Sequence, residues 1–286
     1  MEKIAAVVVT YNRKEMLIKN LNSLFNQTKQ LDSIIIIDNA STDGTKKLLK
    51  EKKFLSKDII NYYRLDKNTG GAGGFYYGTK KAYENNFDWV WLMDDDCIFQ
   101  KNSLEKIFNL KLNKNNAYAC LRKDLEKKKD IIMNIDKTKL NEDKIAVRNV
   151  PFNGFLINRR LINEIGYPEK NYFIYGDDDE YCLRIKENEG EVFVITDSIV
   201  FHPNKIMQYS YKRGVKYTES FLSEFRVYYG TRNSLINRKK YFNKNINLIS
   251  LSKSIIKYLI LGEFKLIKLK LLGVWDGLNF NFYNRV

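Results

Sequence analysis

The chain has 286 residues, of which 44% are hydrophobic, so it can bury a sizeable core and global disorder is not expected. Its three cysteines stand at scattered positions that fit neither a disulfide framework nor a zinc site, which predicts a reducing cytosolic setting. The net charge is +15 and is uneven, because from Lys205 onward 16 basic residues face 4 acidic ones. This asymmetry predicts an anionic partner for the C-terminal part, either lipid or nucleic acid.

The first third of the chain alternates apolar runs of strand length with segments of helical spacing. This alternation predicts an α/β fold with a mostly parallel central sheet and helices on both faces. The N-terminal run is expected to be a first strand rather than a signal peptide, and no stretch is long enough for a spanning helix. The predicted strands are 4–9, 34–37, 59–65 and 89–93, and the predicted helices are 14–25, one through 48–49, and one that ends near residue 85.

Polar residues follow each of these four strands. Carboxyl ends of parallel strands meet at one edge of a sheet, where ligands gather, so these side chains are expected to converge. Loops are polar in any case, but that alternative does not explain why each strand ends in the same residue types. The residues concerned are Thr10 and Tyr11, Asp38 and Asn39, Asp66, and the triplet Asp94, Asp95 and Asp96.

The acidic triplet follows a buried strand and presents three like charges side by side. Such charges are costly to desolvate unless a cation compensates them, and oxygen ligands suit Mg²⁺ or Mn²⁺. Asp94 and Asp96 are therefore candidate metal ligands, with His202, the only histidine, as a candidate third ligand. The alternatives are a solvated acidic turn before the helix near Ser103, and a purely structural histidine.

Residues 70–74 form a predicted glycine loop that opens a helix. Glycines permit close backbone approach to a ligand. No Gly-Lys-Ser/Thr follows, so this is not a Walker loop, and the spacing is not the dinucleotide fingerprint.

A second acidic cluster, Asp177 to Glu180, stands at a predicted helix N-terminus. Its carboxylates fit the helix dipole, and this interpretation is favoured for Asp179. One carboxylate of the cluster is a candidate general base for a substrate hydroxyl.

The rest of the chain is less regular. Residues 122–145 are rich in charge and are predicted to form a surface insertion, and the apolar residues of 246–272, interspersed with lysines, predict two amphipathic helices broken near Gly262. Those helices either lie on anionic lipid or pack on the catalytic domain. The expected domains are 1–215 and 216–286. The other predicted elements are a helix at 101–112, a strand and turn at 149–158, a helix at 161–165, and strands at 192–195 and 198–201.

Several segments together resemble family 2 inverting glycosyltransferases with the GT-A fold, a Rossmann-like α/β fold. The glycine segment and the triple Asp are most similar to the galactofuranosyl- and rhamnosyltransferases of bacterial cell-surface polysaccharide synthesis. The resemblance implies a nucleotide-sugar donor, a divalent metal and a hydroxyl acceptor. The segments are VVVTYNR, IIIIDNASTDGT, NTGGAGGF, WLMDDDC, FNGFLINRRLINEIG, FIYGDDDEYCLRI and FHP.

The resemblance also implies a role for individual residues. Asp94 and Asp96 match the metal-binding Asp-x-Asp, His202 matches the metal-ligand histidine, and Asp178 matches the catalytic base, with Asp177 beside it. Glu180, Asn153 and Gly154 are expected to orient sugar or acceptor. The residues expected to bind the donor are Thr10, Tyr11, Arg13, Asp38, Asn39, Asp66, Asn68, Gly70, Gly71, Gly73, Gly74, Asp94 and Asp95.

The expected function is transfer of galactofuranose from UDP-galactofuranose to a lipid-linked saccharide. The alternatives are a rhamnosyltransferase that uses dTDP-rhamnose, and a non-catalytic nucleotide-sugar or carbohydrate-binding protein. The expected location is cytoplasmic, at the inner face of the cell membrane. A nucleic-acid partner is not expected, because no known motif or aromatic–basic platform is recognisable, and self-association is left open.

Overall fold

In the computed structural model, strands form where the apolar runs of the sequence lie. The structure describes residues 2–129, 131, 133, 135–204 and 208–286. The strands are β1 (Ile4–Thr10), β2 (Ser33–Asp38), β3 (Ile60–Arg64), β4 (Trp89–Asp94), β5 (Ile98–Phe99), β6 (Ala117–Asp124), β7 (Lys144–Val147), β8 (Asn153–Asn158), β9 (Val192–His202), β10 (Tyr209–Lys212) and β11 (Val215–Thr218). The helices are α1 (Lys14–Phe25), α2 (Thr45–Glu51), α3 (Gly70–Glu84), α4 (Ser103–Phe108), α5 (Arg159–Ile165), α6 (Asp177–Glu187), α7 (Glu224–Phe242), α8 (Leu248–Leu261) and α9 (Phe264–Leu278).

The central sheet has nine strands in the order β3-β2-β1-β4-β8-β6-β9-β5, with β7 paired to β9. Strands β3, β2, β1 and β4 are parallel to one another, as the alternation of strands and helices predicted. Strand β8 runs antiparallel between β4 and β6, and β6 and β9 are parallel again. The strand ends of the parallel half therefore meet at one edge of the sheet.

Alternate residues of the strands bury opposite faces of the sheet. In β1, Ala5, Val7 and Val9 belong to one core cluster, and Ile4 and Val8 belong to the other. Helix α3 packs on the first face and α1 on the second, so both faces are covered. This double coverage explains why β1 and β2 are apolar throughout.

The glycine segment is not a loop. Gly70 to Gly74 form the first turns of α3, and the prediction of a loop before the helix was wrong. The glycines are needed because α3 packs closely: a Cβ atom at Gly70 would lie 1.9 Å from the carbonyl oxygen of Phe173. Gly70 also has a φ of +73°, which favours glycine.

Three predictions beyond residue 100 were wrong in extent. Residues 122–124 of the expected insertion belong to β6, a strand inside the sheet, and the two expected short strands are one strand, β9. Helix α4 is shorter than the expected 101–112, because only Ser103–Phe108 are helical. Asp130, Ile132 and Asn134 of the expected insertion lie outside the described residues.

The C-terminal helices begin with α7, which packs along α9. Gly262 ends α8 with a φ of +78°, so the break expected near it is confirmed. The hairpin β10–β11 spans the expected boundary at residue 215, and the division into 1–215 and 216–286 stays a prediction. In the portion of the chain that the structure describes, no helix combines the length and apolar character needed to cross a membrane.

Two glycines of α3 provide a matched test of this packing. A Cβ atom at Gly78 would lie 2.2 Å from Cγ1 of Val7, whereas one at Gly71 would meet nothing within 4 Å. We expect Gly78→Ala to lower the free energy of unfolding by about 1–3 kcal/mol, since overpacking forces the sheet and helix apart. Gly71→Ala is the control, and urea unfolding measures both. Equal stability of the two variants would contradict the close α3–β1 contact.

Candidate active site

The polar ends of β1, β2 and β4 lie side by side. Thr10 is the register partner of Asp38, and Val9 is the partner of Asp94. The backbone N–H of Asn39 donates to the carbonyl of Thr10 at 2.9 Å, and that of Asp95 donates to the carbonyl of Val9 at 3.2 Å. The residues expected to converge at one edge of the sheet from these three strands are therefore neighbours.

The acidic triplet faces an arginine and a histidine. Oδ2 of Asp95 accepts a hydrogen bond from Thr10 Oγ1 at 2.7 Å. Nη1 of Arg13 lies 2.5 Å from Oδ2 of Asp96 and 3.3 Å from Oδ1 of Asp95. On the other side of Asp96, Nε2 of His202 lies 3.2 Å from Oδ1. Two carboxylates of the triplet thus share a single guanidinium.

Asp94 contacts β8 rather than Arg13. Its Oδ2 accepts a hydrogen bond from Nδ2 of Asn153 at 3.2 Å, and Oδ1 of Asn153 accepts one from Arg122 at 3.0 Å. Asn153 therefore links Asp94 to a cation on β6. The next residue, Gly154, is required by packing, because a Cβ atom there would lie 2.7 Å from Sγ of Cys120.

Burial and mutual repulsion give the three carboxyl groups different pKa values. Burial, together with Asp96 and Asp95, raises the pKa of Asp94 to about 7. Burial also raises the pKa of Asp95 to about 6, against the opposing effects of Thr10 and Arg13. For Asp96, burial acts to raise the pKa, but His202 and Arg13 outweigh it and the pKa is lowered. Asp96 is thus the carboxylate that stays charged most readily.

Two observations test whether these residues suit a divalent cation. Within the part of the chain that the structure describes, Oδ1 of Asp96 is buried and accepts no hydrogen bond of good geometry. Nδ1 of His202 lies 2.8 Å from the carbonyl oxygen of Pro203 and must donate to it, so Nε2 faces Asp96 with either a proton, which lowers the pKa of Asp96, or a lone pair open to a metal ion. In the second case two acceptors face each other at 3.2 Å, which suits an intervening cation. The residues fit such an ion, although no group of three acidic, histidine or cysteine side chains among the described residues already converges on one.

Arg122 is a site residue that sequence reasoning missed. It is partly buried on β6, and burial lowers its pKa against the opposing effects of Cys97, Asp178 and Asp94. Its charge therefore lies among the carboxylates of both acidic clusters. A basic residue directly after the apolar run 117–121 was the available signal, and it was hidden because residues from 122 onward were assigned to an insertion.

The second acidic cluster opens α6, as predicted. Gly176 caps the helix with a φ of +86°, and Asp177 is buried at its first position. Burial and the neighbouring Asp178 raise the pKa of Asp177 well above its ordinary value. Burial, then Asp179 and Asp94, raise the pKa of Asp178 to about 7. Asp178 therefore lies within electrostatic reach of the triplet and is poised to exchange a proton near neutral pH.

Asp179 and Glu180 turn away from the triplet. Asp179 accepts a short hydrogen bond from Nδ2 of Asn149. Glu180 is buried and bonded to Arg184 in its own helix, to Nζ of Lys240 at 3.0 Å and to the hydroxyl of Tyr241 at 2.5 Å. The carboxylate of Glu180 thus joins α6 to α7 and does not approach the sheet edge.

The segment before α6 is strained and is held by α7. Phe173 has φ 65° and ψ −65°, a γ-turn conformation, and Tyr175 also has a φ of +65°. Nδ2 of Asn233 donates to the carbonyls of Tyr172, Ile174 and Tyr175 at 2.7–3.0 Å. A neighbouring helix thereby fixes the backbone from which Asp177 and Asp178 project.

Two more α7 side chains complete this clamp. Nη2 of the fully buried Arg232 donates to the carbonyls of Asn171 and Tyr172 at 2.9 Å. Nδ2 of Asn237 donates to the carbonyl of Gly176 at 3.0 Å. The clamp formed by Arg232, Asn233 and Asn237 therefore binds backbone carbonyls along the segment from Asn171 to Gly176.

Asp38 and Asn39, two of the residues expected to bind the donor, form a second group at the end of β2. Oδ1 of Asp38 accepts a hydrogen bond from the N–H of Ser41 at 2.7 Å, and its Oδ2 accepts a short one from the hydroxyl of Tyr62. Side-chain atoms of Asn39 bond to Thr69 and to the carbonyl of Gly70. This network fixes the start of α3 relative to β2.

The other residues expected to bind the nucleotide-sugar donor differ in their exposure and in their contacts within the chain. Tyr11 is 44% exposed, Asp66 is exposed, and Asn68 accepts a hydrogen bond from the N–H of Gly70 at 2.8 Å. A Cβ atom at Gly73 would lie 2.3 Å from Thr69 Oγ1 and one at Gly74 would lie 2.4 Å from Val9 Cγ1. Contacts within the chain thus account for Gly70, Gly73 and Gly74, whereas Gly71 has open space.

This sheet order and its polar edge define the class of proteins with the GT-A fold, as comparison with solved structures confirms. The structure matches a mannosyltransferase from Pyrobaculum calidifontis in complex with GDP-Man and Mn²⁺, with a TM-score of 0.61 and 15% identity, over 97% of this chain and 75% of that one. It also matches S. aureus TarS 1–349 in complex with UDP, with a TM-score of 0.56 and 15% identity, over 99% of this chain and 93% of that one.

The chain belongs to glycosyl transferase family 2, whose model matches residues 5–175. It is 26% identical over 201 residues to galactofuranosyltransferase GlfT1 of Mycolicibacterium smegmatis, over 64% of this chain and 65% of that relative. It is 28% identical over 226 residues to GlfT1 of Mycobacterium tuberculosis, over 71% of this chain and 70% of that relative. The chain thus spans about two thirds of the length of these relatives.

The raised pKa of Asp178 makes stability depend on pH. The unfolded carboxyl ionises near pH ~3.9 and the folded one near 7, so the folded protein binds more protons between these values. The free energy of unfolding therefore falls as pH rises through this window. We expect Asp178→Asn to match the wild type near pH 4 and to exceed its stability at pH 8, as measured by urea unfolding. The exposed Asp58→Asn is the control, and an equal effect of both variants would contradict the burial argument.

Proposed function

We propose that this protein is an inverting glycosyltransferase that moves a sugar from a nucleotide-sugar donor to an acceptor hydroxyl. The observation that carries the proposal is the closeness of the two acidic clusters: Asp94 adds to the effects of burial and Asp179 that raise the pKa of the partly buried Asp178 to about 7. Asp94 belongs to the edge of the sheet suited to phosphates and a cation. Asp178 belongs to a different helix and supplies a base for the acceptor.

Each proton and each bond in the proposed reaction can be accounted for. Asp178 accepts the proton of the acceptor hydroxyl while the oxygen attacks the anomeric carbon from the face opposite the leaving group. The bond between that carbon and the phosphate oxygen breaks, and the nucleoside diphosphate leaves with the electron pair. One displacement inverts the anomeric centre. Arg122 and Arg13 stabilise the negative charge that gathers at this edge.

Asp94, Asp96 and His202 would hold a divalent cation, Mn²⁺ or Mg²⁺. When bound, the ion neutralises charge on the leaving diphosphate. Asn153 keeps Asp94 oriented through its hydrogen bond, and the carbonyl of Pro203 keeps the His202 ring oriented. Metal dependence would thus rest on three ligands and two residues that orient them, Asn153 and Pro203. Solved GT-A neighbours with Mn²⁺ support it.

The donor we propose first is UDP-galactofuranose, with a hydroxyl of a lipid-linked saccharide as acceptor. The two GlfT1 relatives, named as galactofuranosyltransferases, support this choice, and the solved neighbours in complex with UDP support the nucleotide. A dTDP-rhamnose donor is the alternative. A non-catalytic binding protein is disfavoured because a base candidate faces the acidic triplet.

Donor identity and the base are tested together by measuring released nucleotide. We expect UDP release from UDP-galactofuranose in the presence of Mn²⁺ and an acceptor, and Asp178→Asn should lower kcat by about 10²–10⁴-fold, since it removes the base. The same variant should keep the Kd for UDP. Asp96→Asn should instead weaken Mn²⁺-dependent UDP binding by roughly tenfold or more, measured by calorimetry.

The exposed Arg160→Gln is the control for both assays, because its side chain pairs only with Glu164 on α5 among the described residues. Transfer that persists in both Asp178→Asn and Asp96→Asn would refute the site. Release of dTDP but not UDP would leave the site intact and change the donor.

We further propose that the protein acts in the cytoplasm, bound peripherally to the inner face of the cell membrane through α8 and α9. The apolar groove between these helices is lined mainly by Leu, Ile, Phe and Trp side chains, with Lys268 at its border. Lys253 and Lys257 flank the exposed Ile256 on α8. An apolar face bordered by lysines matches an anionic lipid surface. The most exposed apolar residues are Leu248, Ile249, Ile256, Leu259, Phe264 and Trp275.

Vesicle sedimentation tests this surface. The full chain should bind vesicles that contain phosphatidylglycerol more strongly than pure phosphatidylcholine vesicles, and Phe264→Ser with Trp275→Ser should abolish most binding. Lys253→Gln with Lys257→Gln should weaken it by about 2 kcal/mol, since each lysine near the surface contributes about 1 kcal/mol. Lys47→Gln on α2 is the control. Equal binding by all variants would show that these helices do not face lipid.

A further inference from the structure

A cleft of about 380 Å³ lies beside the first turn of α6. One wall is Tyr175, Gly176 and Asp179, and the opposite wall is the C-terminal half of α7. Asp178, the proposed base, is the direct chain neighbour of Asp179. A molecule in the cleft therefore contacts the same helical turn that carries the proposed base.

Two arginines give the cleft a positive character. Arg148 is exposed, places its guanidinium 4.6 Å from the ring centre of Phe242, and pairs with no carboxylate among the described residues. Arg238 donates from Nη2 to the carbonyl of Asn245 at 3.1 Å. Its Nε is buried and, in the described part of the chain, has no hydrogen-bond acceptor. The Nε atom itself is enclosed, so a ligand in the cleft would meet the terminal nitrogen atoms of Arg238.

The acidic residues of the cleft do not balance the positive charge of these two arginines. Among the described residues that line it, Asp179 is the only carboxylate, and this group already accepts a hydrogen bond from Asn149. Two guanidinium groups thus outnumber one occupied carboxylate. The side chains of Tyr175 and Phe242 add apolar surface to the lining, which suits a sugar ring.

We infer that this cleft is an acceptor subsite for a saccharide that carries a phosphate ester or diphosphate, with the anionic group bound by Arg148 and Arg238. The inference rests on the proposed function, because it assigns the cleft to the acceptor side of that reaction. Arginine is suited to this role, since its planar fork binds phosphate oxygens in pairs. The donor phosphates would occupy the triplet, so the protein would hold two separate anions.

The test follows the arginine Nε–H signals by NMR in the full chain labelled with ¹⁵N-arginine, in the presence of Mg²⁺. The probes are glucose 1-phosphate, glucose and UDP. Glucose 1-phosphate should shift the Arg238 signal, which is assigned through Arg238→Lys, and glucose should not. Arg148→Gln should weaken this binding by roughly tenfold or more, as a lost charged hydrogen bond does, whereas the exposed Arg160→Gln should leave it unchanged.

The outcomes separate this inference from the proposed function. A shift of Arg238 with UDP alone would assign the cleft to the donor and overturn the inference, and no shift with glucose 1-phosphate, or an equal shift with glucose, would also overturn it. UDP affinity measured by calorimetry is expected to be the same in Arg148→Gln and wild type. If UDP fails to bind the wild type, the proposed function fails first.

Discussion

The structure depends on how it tolerates four carboxyl groups at one edge of its sheet. Asp94, Asp95, Asp96 and Asp178 cannot all stay charged in a partly buried space without compensating cations. The fold compensates the charges of these groups to different degrees. Asp96 keeps its charge beside Arg13 and His202, whereas the pKa values of Asp94 and Asp178 rise to about 7. The raised pKa of Asp178 suits a group that takes up a proton, and the fixed charge of Asp96 suits a group that binds a cation beside a diphosphate.

The rest of the fold keeps these groups in register. Parallel pairing of β1 with β2 and β4 places their polar ends together, and the close contact of α3 with β1 supports that edge from behind. Helix α7 performs the corresponding task for the second cluster, because its buried amide and guanidinium groups hold the strained backbone before Asp177. The two acidic clusters thus rely on different supports, one from the sheet and one from a helix late in the chain.

The sequence allowed the sheet edge to be predicted, because strand ends follow from apolar runs that stop at Asp or Thr. It also identified helix α1 and the break at Gly262. It did not reveal Arg122, since a basic residue at this point of the sequence indicates the start of a surface loop. Only its carboxylate neighbours in the fold show that it belongs to the site. The roles of Gly74 and Glu180 were likewise hidden, because Val9 and Lys240, which contact them, are far away in the chain. Contacts between distant residues leave no local pattern.

The hydrogen bonds that α7 makes limit how the C-terminal helices of such proteins can vary. Arg232 joins the backbone before the proposed base to the carbonyl of Tyr283, three residues from the end of the described chain, through hydrogen bonds of 2.7–2.9 Å. The first 215 residues therefore do not form an exchangeable module. A chimera that grafts the C-terminal helices of a relative onto this sheet would have to preserve those bonds, so the C-terminal helices and the backbone before Asp178 must change together.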